Sequence, residues 1–101
     1  MIYIDFYLDG FKINGHANFA KKGYDIVCSA ISGISFGSIN WFEKKDILLF
    51  KSDEKKPELI IKITLNEKNK IGISLIEEQI LSIVNSYPKF CEYKKHNKEL
   101  E

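Results

Sequence analysis

Two side chains in the stretch "GHANFAKKGYDIVCSAIS", residues 15–32, are suited to covalent chemistry: the imidazole of His16 and the thiol of Cys28. A thiolate attacks carbonyl carbon, and an imidazole takes up the displaced proton and returns it to a leaving group. Asp25 and Ser32 lie three residues before and four residues after Cys28, so on a helix all three share one face. A cysteine in the first turn of a helix meets unpaired backbone N–H groups and the positive end of the helix dipole. Both favour the thiolate, and such sites lower a thiol pKa from about 8.5 to roughly 3.5–7.5. The same amides can cradle an oxyanion. Nucleophile, base and oxyanion donors are thus all available from one short segment.

Each residue also has an ordinary reading. Free cysteine behaves mostly as a small hydrophobe, His16 can be a plain strand-end histidine, and Asp25 can simply cap a helix. Ser29, Ser32, Ser35 and Ser38 can do no more than keep a helix face small and polar. The spacing of His16, Asp25 and Cys28 lacks the density of zinc motifs, so no metal and no cofactor is expected.

The elements that would hold these residues follow from the pattern. "MIYIDFYLDG" reads as a strand running into a hairpin turn at Asp9-Gly10, and "FKINGHA" as the return strand, with His16 at or just past its end. Residues 18–23 read as a loop punctuated by Gly23. From Asp25 to about Phe42, the residues Ile26, Val27, Ala30, Ile31, Ile34, Trp41 and Phe42 group on one helical side. Cys28 falls on the opposite side. "DILLF" and "ELIIKITL" read as strands joined by "KSDEKKP". Ser74 and Glu77 have capping-box spacing, ahead of a stripe of Ile76, Ile80, Ile83, Val84 and Tyr87 that Pro88 stops. "KFCEYK" can add a short last strand. The expected fold is an α+β two-layer sandwich, β-β-α-β-β-α with that short strand optional, two helices packed on a mixed sheet. Residues 1–101 make a single domain, with 95–101 as a flexible tail.

Composition narrows the function classes. Forty-five per cent hydrophobic and 29 per cent charged residues suit a compact core. A net charge of +1 gives no footprint for nucleic acid. The uncharged run 26–42 is shorter than the ~20 apolar residues that span a bilayer. Two cysteines 63 positions apart make no disulfide framework. A cytoplasmic protein with reduced thiols is expected, with no membrane and no direct nucleic-acid partner.

"GHA" followed by "GYDIVCSAIS" resembles the signature of the ribosomal-processing cysteine proteases, the Prp family: Gly-His-Ala, then Gly-x-Asp-Ile-Val-Cys-Ala-Ala-Val-Ser. Ser29 stands where that family has alanine, and Ile31 where it has valine. The resemblance implies a cysteine endopeptidase that removes an N-terminal extension from the twenty-seventh protein of the large ribosomal subunit. Such enzymes cut after paired bulky aromatics and before a small residue. It further implies that Cys28 is the nucleophile and His16 the base and acid, with Asp25 and Ser32 in supporting positions. Gly15 and Gly23 would give the loop freedom to admit a peptide, and the protein would form a homodimer. Phe36 and Ile39, on the side of Ser32, are candidates for a peptide groove or a dimer contact. The rival class is a non-catalytic ribosome-assembly module that holds a ribosomal protein and does no chemistry.

Overall fold

The computed structural model describes residues 1–21, 24–53 and 55–101. Strand β1 (Ile2–Tyr7) turns Ile2, Ile4 and Phe6 inward and leaves Tyr3, Asp5 and Tyr7 outside, the period of a half-buried strand. It pairs antiparallel with β2 (Gly10–Gly15), Tyr7 opposite Gly10. The two-residue turn is therefore Leu8-Asp9, one position earlier than expected. The displacement has a cause: the buried Asp9 carboxylate accepts the Leu100 N–H at 2.8 Å and lies 3.5 Å from Lys62 Nζ.

After α1 (Ile26–Ile39) and a short 3-10 turn come β3 (Ile47–Asp53), β4 (Glu58–Ile63), α2 (Glu67–Ser86) and β5 (Cys91–Lys95). The five strands lie in the order β3-β4-β2-β1-β5. Among the described residues only the β1–β5 pair is parallel, with Ile2 opposite Cys91, so the sheet is mixed. Both helices pack on one face. There Phe6, Phe11, Ile4, Ile61, Ile63 and Ile80 are fully buried, each worth about 1.5–3 kcal/mol. The expected two-layer sandwich forms, final strand included.

Both helices differ from the sequence pattern at their ends. α1 stops at Ile39, three residues short of Phe42. Its buried stripe is Val27, Ile31 and Ser35, while Ile26 and Trp41 are exposed. Small polar Ser35 joins the core because its hydroxyl donates to the Ile31 carbonyl at 2.7 Å. α2 begins at Glu67, well before Ser74, because Asn66 caps it by accepting the Asn69 N–H at 2.8 Å. Ser74 is an exposed mid-helix residue. Tyr87 closes the helix ahead of Pro88.

Residues 95–101, expected as a flexible tail, are tied to the hairpin. Lys95 ends β5, the His96 N–H donates to the Phe6 carbonyl, and the Leu8 N–H donates to the Lys98 carbonyl. The Leu100 side chain is buried, and its carbonyl accepts Lys62 Nζ at 2.7 Å. Leu100 is the segment's one buried apolar side chain, too sparse a signal to read as periodicity.

Candidate active site

The site begins where β2 ends. Gly15 adopts φ +90, a conformation that disfavours any residue with a Cβ. An added Cβ would also overlap the Met1 carbonyl oxygen. Its N–H donates to the Pro57 carbonyl at 2.8 Å, and the reversal carries the chain off the strand. His16 follows, exposed, its carbonyl accepting the Met1 amino group at 2.6 Å. Ala17 then drops into the core, and its N–H donates to Cys28 Sγ at 3.2 Å. Gly15 thus supplies the backbone conformation that this turn requires. Gly23 and Lys22 lie outside the described residues.

Asp25 organises the other side. It is the N-cap of α1: one carboxylate oxygen accepts the Cys28 N–H at 3.0 Å and the other the Phe19 N–H at 3.1 Å. Burial works against the Asp25 carboxylate, but the N–H groups of Cys28 and Phe19 outweigh it and hold its pKa below the ordinary value. The Phe19 ring sits edge-on to Tyr87 and Phe90, with centroids 5.5 and 5.2 Å away. The loop is thus hydrogen-bonded to the start of α1 at Ala17 and Phe19.

Cys28 departs from expectation in two ways. It flanks the buried stripe of α1 and packs against the core, where the pattern had placed it opposite. Burial pushes its thiol pKa up, and the neighbouring Asp25 carboxylate adds to this; the Ala17 N–H pulls the other way without prevailing. The first helical turn does not lower the pKa as expected. Moreover, its Cys28 N–H is committed to Asp25, so it is not a free oxyanion donor.

His16, Asp25, Cys28, Ser32 and Gly15 all line one cleft of about 530 Å³. Its far wall comes from the β3–β4 hairpin, through Ser52, Asp53, Pro57, Glu58 and Leu59. Those wall residues, the Ala17 N–H and Phe19 were missed in the sequence. No short-range pattern marks them, since they reach the site through strand pairing and loop packing. Among the described residues, no group of three or more His, Cys, Asp or Glu side chains converges to hold a metal.

A cysteine in the first turn of a helix and a histidine at a strand end, both lining one cleft, are the ingredients of a thiol hydrolase. The family described as Cysteine protease Prp matches residues 1–92. The ribosomal processing cysteine protease Prp of Mycoplasma pneumoniae is 39% identical over 87 residues, covering 85% of this chain and 86% of that protein. Its Mycoplasma genitalium counterpart is 42% identical over 89 residues, covering 87% and 89%. The chain belongs to the Prp family and is a cysteine protease. Its fold is also that of the ribosomal processing protease Prp from S. aureus, solved with a covalently linked product peptide. The TM-score is 0.85 at 20% identity, covering 95% of this chain and 100% of that one.

Proposed function

We propose that this protease removes the N-terminal extension of the twenty-seventh large-subunit ribosomal protein through a Cys28–His16 dyad and an acyl-enzyme. The observation that carries the dyad is that both residues line the same cleft, with the Ala17 N–H directed at Cys28 Sγ. The substrate rests on the resemblance in residues 15–32 and on the ribosomal processing named for the relatives.

Cys28 rests as a thiol, so attack begins with proton transfer from sulfur to His16 as the peptide fills the cleft. Sulfur then bonds to the scissile carbonyl carbon, the C–N bond breaks, and His16 returns the proton to the departing amine. Water, deprotonated by His16, cleaves the thioester and regenerates the thiol. Asp25 holds the loop and the helix start together, and Ser32 stands one turn beyond Cys28 on the cleft wall. Two free thiols fit a cytoplasmic setting. The exposed Leu48, Leu49 and Phe50 of edge strand β3 support a homodimer, offering an apolar edge to a second copy. A near-neutral charge supports a peptide ligand over nucleic acid and membrane surfaces.

The test is intact-mass analysis of the extended ribosomal protein after incubation with wild type, Cys28→Ala and His16→Ala. Wild type alone should shorten it at one site. Trimming by Cys28→Ala would refute the mechanism. An untouched ribosomal protein beside a cleaved generic peptide would refute the substrate.

A further inference from the structure

The cleft continues beyond the dyad. Along α1 its wall is Cys28, Ser32 and Phe36, at spacings of four residues, with Ser29 and Ser35 beside them. It therefore runs along the helix axis. Phe36 is the sole aromatic among the described lining residues, and 46% of its surface is exposed. The neighbouring Ser35 hydroxyl is turned back to the Ile31 carbonyl and offers the cleft no donor. Buried Ile13 and Leu59 supply apolar surface on the sheet side. Ile39, in contrast, packs against the core and does not line the cleft.

We infer that Phe36 is a specificity-determining residue, receiving an apolar side chain of the substrate remote from the scissile bond. The inference rests on the protease reading above and adds a subsite to it. Eight helical residues separate Cys28 from Phe36, a rise of about 12 Å. An extended peptide advances roughly 3.3 Å per residue, so Phe36 meets the residue three or four positions from the cut. A half-exposed phenyl ring in a groove loses its remaining water when a bulky apolar group covers it. A charged group there would lose hydration against the ring, and an acidic one would also share the cleft with Asp53 and Glu58. The chemistry selects leucine, methionine or an aromatic residue and rejects aspartate.

The experiment measures kcat/KM on fluorogenic peptides that vary in one position at a time, three to five residues to either side of the cut. Wild type should prefer leucine or phenylalanine over aspartate about tenfold at one such position, the low end of what an apolar pocket contributes. Phe36→Ala should erase that preference there alone, leaving the ranking of peptides varied at every other position as in wild type. Phe36→Leu should restore most of the preference, which a general loss of structure would not permit. A preference that survives Phe36→Ala, or equal cleavage of all peptides by wild type, overturns the subsite. Absence of cleavage by wild type overturns the protease reading and the subsite with it.

Discussion

Replacing Gly15 by alanine probes the turn on which the site depends. At φ +90 an alanine sits in a sparsely populated region, costing about 1–3 kcal/mol. Its Cβ must also displace the Met1 carbonyl, a backbone atom with no rotamer to change, and overpacking of that kind adds a similar cost. A loss of at least ~2 kcal/mol is expected, which for a domain of this size lowers Tm by roughly 8–16 °C. Gly33 is the internal control. It lies within α1 with nothing within 4 Å of an added Cβ, so Gly33→Ala should stabilise by about 0.5–1 kcal/mol. Calorimetry on the two variants should therefore give shifts of opposite sign. Peptide cleavage by Gly15→Ala, assayed below its Tm, should fall at least about tenfold, because the same turn sets His16 and the Ala17 N–H. A Gly15→Ala protein with wild-type Tm and activity would refute the reasoning.

Three further outcomes follow from groups described above. The folded-state pKa of Asp25 is held down, so its contribution to stability is complete above the unfolded carboxylate's value of about 3.9 and drains as pH falls through the lower folded value. Between pH 6 and 2, the Tm of wild type should drop more steeply than that of Asp25→Asn; parallel curves would contradict this. The same variant removes a negative charge beside Cys28, so iodoacetamide should alkylate its thiol at lower pH than in wild type. Leu100→Ala empties a buried site at the hairpin and should cost about 2 kcal/mol. The urea midpoint should fall with unchanged m, and an unchanged midpoint would mean that the segment does not anchor the fold.

The strands were legible in the sequence because the β1, β2 and β4 residues alternate between core and solvent. The short β5 was legible as an option. Helix ends were less so. Asn66 caps α2 through one side-chain bond, and the Ser74–Glu77 spacing imitates a cap inside the helix. Just beyond α1, the aromatic pair Trp41-Phe42 imitates two more core positions of the helix, although only Phe42 is buried. The chemical residues were legible as types, and one cleft gathers His16, Asp25, Cys28 and Ser32. Their electrostatics were not. A raised thiol pKa depends on how deeply Cys28 sits and on Asp25 taking its N–H, and neither follows from residue spacing.

The parallel β1–β5 pair bears on the order in which this chain is made. Phe19, which fastens the loop beside Cys28, lies against Tyr87 and Phe90, and Ile2 finds its parallel neighbour only at Cys91. Translation adds about 5–20 residues per second, N-terminus first, so Cys91 is polymerised roughly 3 to 13 s after Cys28. Throughout that interval the thiol exists without the aromatic slot that secures its loop and without the last strand of its sheet. The nascent chain thus acquires its reactive atom early and the support for that atom last.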